Sequence, residues 1–225
     1  MNWIDTMTFV RGPLFYVALL FFIAGMMYRL VGVLALGWSR NYIPAKKNRV
    51  AGAAIAFLRS VIIWPFIPRI GETAGRNLVT YAAGGLFHLG LFVVILLGAA
   101  HELVWKSLLG FGWPTLSLPW IDLLAAGALV AMIVLFFNRL ANPVLRLLSR
   151  PADYLNLLFV FLPLITGFFL THRLYANYEI GFTIHVLTVD LMLIWIPLSR
   201  ISHFMFYFVS KYRQGARFAE RGARP

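Results

Sequence analysis

The chain has 225 residues, of which 61% are hydrophobic and only 12% charged, with a mean hydropathy of +0.80. A soluble domain carries about a quarter charged and about half apolar residues, so this composition excludes a disordered chain and an ordinary soluble enzyme. Cysteine is absent, which removes disulfides, thiolate zinc sites, cysteine-ligated iron–sulfur clusters and covalent c-type haem attachment. The net charge of +12 comes from basic residues between and after apolar runs, so membrane orientation explains it and no nucleic-acid partner is expected.

The first apolar run, about 13–33, is too long for a secretory h-region and has no small-residue cleavage site behind it, so it reads as a retained transmembrane helix. A basic, polar stretch follows, SRNYIPAKKNR. Residues 51–68 are apolar apart from Arg59 and Ser60, yet basic residues flank both sides (Lys46, Lys47, Arg49, then Arg69, Arg76). A true span would put one of those groups on the wrong side, so a helix lying in the interface is expected there. Further spans are expected at about 78–104, 121–140, 154–172 and 180–209. The basic tail, 210–225, is expected in the cytoplasm and to fray.

With five spans, only Arg11, Lys106 and Arg173 of the 20 Lys and Arg fall on one side. That asymmetry places the N-terminus outside and the C-terminus in the cytoplasm. The expected fold is one all-α membrane domain of five transmembrane helices in a prokaryotic cytoplasmic (inner) membrane. No internal repeat of the transporter kind is visible.

Four of the five histidines fall on two spans: His88 and His101 on the second, His185 and His203 on the fifth. An intramembrane ionisable residue is costly and usually functional. On a continuous helix His185 and His203 share a face, ~27 Å apart, while His88 and His101 are ~20 Å apart. The two helices run in opposite directions, so His101 pairs in depth with His185 near the outer surface, and His88 with His203 near the cytoplasm. Two His–His pairs suit two six-coordinate haem b groups with neutral imidazoles as axial iron ligands. The thirteen-residue gap leaves His88 and His101 on different faces of one helix, and His172 is an alternative outer ligand. Helix packing through polar residues is the plainer reading of these histidines, and a proton or metal transporter without haem is the remoter alternative.

Two pieces carry a family resemblance: Phe87-His88-Leu89-Gly90 followed by an apolar run to a second histidine, and Pro197-Leu198-Ser199-Arg200-Ile201-Ser202-His203. With the gap from His185 to His203 and the tail Lys211-Tyr212-Arg213, they resemble the gamma subunit of respiratory nitrate reductase. The resemblance implies a di-haem cytochrome b subunit that oxidises quinol near the outer haem. It also implies an iron–sulfur subunit and a catalytic subunit docked at the cytoplasmic face, to which the electrons pass. The segment Phe9-Val10-Arg11-Gly12-Pro13, with Tyr28-Arg29 and the stretch Ser149-Arg150-Pro151-Ala152-Asp153-Tyr154, is more similar to the membrane cytochromes of sulfite-reductase-associated and heterodisulfide-reductase-like complexes. That similarity leaves open the terminal substrate and the direction of electron flow.

Quinol oxidation needs a carbonyl-binding donor and a proton acceptor near the outer haem. Lys106 or His172 is expected to bond a quinone oxygen and Glu102 to take a proton, with interfacial anchoring the plainer reading of each. Asp122 and Glu179 lie on the same side. Trp105, Trp113 and Trp120 read as an aromatic belt. Asp190, inside the fifth span, is expected to bond a basic side chain or to stay protonated. Arg200, next to His203, is expected to pair with haem propionates or to serve as a cytoplasmic anchor.

Overall fold

The structure, a computed structural model, describes residues 3–36, 45–60 and 77–223. All regular structure among them is helical. Five helices are long and apolar enough to cross a bilayer: Trp3–Ala35, Leu78–Leu97, Leu118–Ala141, Pro151–Thr171 and Tyr178–Leu198. The protein is thus an all-α membrane protein with five candidate spans, as the apolar runs predict. The chain divides into two compact units, Met1–Leu19 with Asn77–Trp195, and Leu20–Arg76 with Ile196–Pro225.

The first span begins as α1 (Trp3–Phe9), ten residues earlier than its apolar core suggests, and continues through a π turn at Val10–Leu14 into α2 (Phe15–Ala35). Pro13 has no amide to donate, and the Phe15 N–H reaches back to the Val10 carbonyl instead.

In the first unit, α4 (Leu78–Leu97) packs on α6 (Leu118–Ala141) through small residues. A Cβ at Gly90 would run into the Leu124 carbonyl oxygen and approach the Ala128 Cβ to 2.8 Å. Such close backbone approach is how helices associate where lipid removes the hydrophobic drive. Asn138 Nδ2 donates to Thr80 Oγ1 at 2.9 Å across the same pair. After the short helix α7 (Pro143–Leu148), Pro151 opens α8 (Pro151–Thr171) at its first turn, where a missing amide costs nothing. The Asp153 carboxylate accepts from the Arg150 N–H at 2.9 Å. α8 is tied to α9 (Tyr178–Leu198) by the Trp195 indole, which donates to Asn156 Oδ1 at 2.8 Å and stacks on Phe159.

The second span differs most from its sequence reading. It ends at Leu97; Gly98 is extended (φ −73°, ψ 129°), and a separate helix, α5 (Ala99–Leu109), follows. The last four carbonyls of a helix lack intrahelical partners, and here each finds one. Val94 O accepts from Gly98 N–H and His101 Nδ1, Ile95 O from the Trp105 indole, Leu96 O from the Trp113 indole and Leu97 O from Leu116 N–H. Trp105 and Trp113 therefore have a structural task beyond an aromatic belt, while Trp120 is exposed as a belt residue would be.

In the second unit, α3 (Arg49–Leu58) packs against α10 (His203–Glu220). α3 is N-capped by Asn48, whose side chain accepts from Val50 and Ala51 N–H. The seam is Gly52, Ala53 and Ala56 against Gly215, Ala216 and Ala219, all buried. A Cβ on Gly215 would overlap Ala56 Cβ and the Gly52 carbonyl. Arg49 and Glu220 form an ion pair at 2.6 Å, and Lys46 N–H donates to Glu220 O. Two expectations change. The tail expected to fray is helical to Glu220, packed through the small-residue seam. The helix expected over 51–68 runs Arg49–Leu58 against a partner helix, and residues 61–68 of that expectation lie outside the described residues.

Candidate functional site

The first unit brings His101 and His185 together. Their ring centroids are 6.2 Å apart and their planes inclined by 65°. The break at Gly98 makes this possible. The thirteen-residue phase mismatch with His88 assumes one continuous helix, whereas His101 belongs to α5 and is aimed independently of α4. Gly98 fits closely there: an added Cβ would stand 2.6 Å from Val94 O and 3.3 Å from His101 Nδ1.

Both rings are held by the same nitrogen. His101 Nδ1 bonds Val94 O at 3.0 Å. A carbonyl only accepts, so Nδ1 carries the proton and Nε2 keeps its lone pair. His185 Nδ1 lies 3.2 Å from Thr166 Oγ1 on α8. The Thr166 hydroxyl has a shorter contact of 2.8 Å to Leu162 O, and Thr188 donates to His185 O at 2.7 Å. Thr166 spends its one proton on Leu162 O, so it accepts from His185 Nδ1–H, which leaves His185 Nε2 as the lone-pair nitrogen as well. Gly167 gives this ring its room, since a Cβ there would be 2.9 Å from His185 Cε1. Thr166, Thr188 and Gly167 were not singled out from the sequence. The available signal was two threonines and a glycine on facing apolar spans close to a histidine.

The other predicted residues are distributed as follows. His88 is exposed on α4, its Nδ1–H donating to Gly84 O at 2.7 Å, between the rings of Phe87 and Phe92. His203 opens α10 in the second unit, its Nδ1–H donating to Arg200 O at 3.1 Å. It is not on the helix of His185. That helix runs through Pro197 to Leu198, Ser199 is extended and caps a 3₁₀ turn at Arg200–Ser202, and a new helix starts at His203. The five-turn spacing from His185 therefore does not describe its position. The freed carbonyls of Pro197 and Ser199 accept from Arg29 Nη1 at 3.0 and 2.7 Å, and Ser202 Oγ lies 2.7 Å from the same nitrogen. Sequence reading took Arg29 as a cytoplasmic charge and as part of the Tyr28-Arg29 resemblance, and gave it no capping role. Arg200 itself is exposed on that turn.

Glu102 and Lys106 come together over Gly112, where an added Cβ would overlap Glu102 Oε1 and approach Lys106 Cδ to 3.4 Å. His172 makes contacts of its own. It caps the end of α8, donates from Nδ1 to Phe168 O at 2.9 Å, stacks on Phe168, and has Nε2 3.8 Å from Asp122 Oδ2. Asp190 is 2% exposed, and among the described residues neither carboxylate oxygen has a hydrogen-bond partner. The basic partner expected for it is therefore not found among them. No cluster of three or more His, Asp or Glu side chains suited to a metal occurs among the described residues.

A protein of Nitratidesulfovibrio vulgaris, named only "Protein", is 27% identical over 213 residues, which cover 94% of this chain and 92% of the relative. No family model matches the chain. No solved structure matches it.

Proposed function

We propose that this chain is the membrane-anchor, di-haem b cytochrome subunit of a respiratory oxidoreductase. It exchanges electrons between the quinone pool and a cytoplasmic iron–sulfur partner, with the catalytic subunit beyond. The observation that carries this reading is the facing pair His101 and His185, each pinned through Nδ1 and so presenting Nε2. The two rings have centroids 6.2 Å apart and planes inclined by 65°, close enough for both imidazoles to hold one metal ion. With two protein nitrogens and no third donor among the described residues, the residues fit a metal whose remaining ligands come from a macrocycle. A ligating histidine normally donates its other ring N–H to a carbonyl or similar acceptor, which fixes its tautomer and raises its basicity; Val94 O and Thr166 Oγ1 supply that here.

His101 and His185 would hold the outer haem. By the family resemblance alone, His88 and His203 would be the ligands of the inner one, with Arg200 toward its propionates. Bound at these two positions, haem b would supply a one-electron carrier at each of two depths. The chain's own contribution is to orient the imidazoles, through Val94 O for His101 and Thr166 Oγ1 for His185. The resemblance to nitrate reductase gamma subunits favours quinol oxidation at the outer face of a prokaryotic cytoplasmic membrane, with the N-terminus outside. The same cytochrome in a sulfur-metabolism complex has the same sites with a different terminal substrate.

The test is a reduced-minus-oxidised spectrum with a pyridine haemochrome assay on the purified complex. Two b haems per chain are expected. His185→Ala should leave one. A colourless wild-type chain would overturn the cytochrome reading.

A further inference from the structure

We propose that Asp190 is a proton-binding site inside the membrane, reached from the outer end of α9 along Glu179 and Thr183, and that its proton occupancy follows the redox state of the metal held by His101 and His185. This rests on the cytochrome reading above and concerns a group that the electron path does not use. Asp190 stands near the middle of α9, whereas Asp5, Asp122 and Asp153 stand in the opening turns of their spans. Asp190 is 2% exposed, and neither of its oxygens has a hydrogen-bond partner among the described residues.

Thr183 repeats the observation on the same helix. It is also 2% exposed, and its Oγ1 has no partner among the described residues. Thr8, Thr166 and Thr171 each donate to the carbonyl four residues back, the usual way a threonine spends its proton within a helix. Thr183 does not, so its hydroxyl can both donate and accept, as a proton relay requires. At about 100° per residue, Glu179, Thr183 and Asp190 fall within about 40° of one another around α9. Glu179 is half-buried in the first turn. The three form one polar stripe from the end of the helix to its middle. Thr183 and Asp190 are about 10 Å apart along the axis, so water carries the proton between them. Buried polar groups without protein partners are where internal water settles.

A carboxylate that accepts no hydrogen bond is costly inside a membrane, and the neutral acid is the form such a site favours. A nearby positive charge offsets that cost. His185 lies about 7.5 Å from Asp190 along the axis of α9. A metal shared by His185 and His101 carries one more positive charge when oxidised than when reduced. Unit charges about 10 Å apart, at an effective dielectric constant of about 20, change each other's binding equilibria on the order of tenfold. One electron delivered by quinol therefore draws one proton from the outer water onto Asp190, –COO⁻ + H⁺ → –COOH, and reoxidation returns it. The elements that contact α9 carry His101, Glu102 and Lys106 on α5, Asp153, Tyr154 and His172 on α8, and Arg11, Tyr16, Tyr28 and Arg29 on the first span. Asp190 bonds none of them.

The test uses the complete, haem-loaded complex. Infrared difference spectra between the dithionite-reduced and ferricyanide-oxidised forms are recorded for wild type, Asp190→Asn and Thr183→Val, beside redox titrations of both haems across pH. Wild type should show a protonated-carboxyl C=O band that grows on reduction and shifts in heavy water, with an outer haem potential that falls as pH rises. Asp190→Asn should lose that band and most of the pH dependence of the outer haem, with the inner haem unchanged. Thr183→Val should keep the band and slow its exchange in heavy water about tenfold or more. No redox-dependent carboxyl band in wild type overturns the proposal, and decides the matter even where Asp190→Asn fails to assemble. A band that persists in Asp190→Asn, or wild-type exchange in Thr183→Val, overturns it equally. A haem-free wild type whose carboxyl band titrates with pH and vanishes in Asp190→Asn would keep the proton site and sink the cytochrome reading.

Discussion

His101 and His185 face each other across 6.2 Å although they sit on helices that do not follow one another in the chain. Each owes its aim to a local departure from regular helix or regular packing. For His101 it is the extended Gly98 and the exposed end of α4. For His185 it is the bare backbone of Gly167 and the hydroxyl of Thr166. The pair is a construction of four elements, which makes it sensitive to residues that would never touch a bound metal.

Thr166→Val tests the hydrogen bond to His185. The change keeps the shape and removes the acceptor for Nδ1–H. A donated proton makes an imidazole a stronger electron donor and favours the oxidised metal, so its loss should raise the outer haem potential. A hydrogen bond worth about 1 kcal/mol corresponds to about 40 mV for a one-electron couple. Redox titration of the two α bands should show one haem shifted upward and the other fixed. Two unchanged potentials would mean that Thr166 does not tune the site.

Gly167→Ala tests the packing against the ring. Alanine is a better helix former than glycine by about 1 kcal/mol, so helix preference alone predicts a more stable protein. The contact predicts the opposite at the site, because the new Cβ would stand 2.9 Å from His185 Cε1. The outer haem should be lost or its spectrum broadened while the inner one remains. Gly84→Ala, whose Cβ would meet nothing within 4 Å, is the control and should spare the outer haem.

The five apolar runs and the two histidine-bearing helices were legible in the sequence because hydrophobic length is a property of the segment itself. The two breaks were not read, and they decide where the histidines point. Gly98 is extended because Val94, Ile95, Leu96 and Leu97 are capped by partners from His101 to Leu116, a tertiary arrangement with no local code. The break at Ser199 did have one, a proline two residues ahead of a capping serine, with Arg200, Ser202 and His203 following. The α3–α10 seam also left a trace: Gly52 and Ala56, like Gly215 and Ala219, stand four apart, the spacing of a small-residue stripe.

Arg29→Gln tests the cap on the end of α9. One guanidinium nitrogen serves two carbonyls and Ser202 Oγ, and Ser202 is 2% exposed. Truncation leaves buried acceptors unsatisfied, at a cost of about 1–3 kcal/mol. The turn that presents His203 should loosen, and the inner haem should be lost first on heating. Arg29→Lys should rescue only in part, because an ammonium lacks the planar guanidinium that lies 5.6 Å from the Phe206 ring centroid. Equal loss of both haems in Arg29→Gln would argue against a local role.

The α3–α10 seam allows two interactions to be ranked. The Arg49–Glu220 ion pair is short, but Arg49 is half-exposed, and such pairs contribute about 1 kcal/mol or less. The glycine–alanine seam is buried throughout, and a bulky side chain in it forces the helices apart, at about 1–3 kcal/mol or more. Gly52→Val should therefore release the C-terminal helix to protease, with cleavage in the basic stretch around Lys211–Arg217. Arg49→Gln should leave that stretch nearly as resistant as in wild type. If Arg49→Gln is cleaved as fast as Gly52→Val, the ion pair and not the seam holds α10 in place.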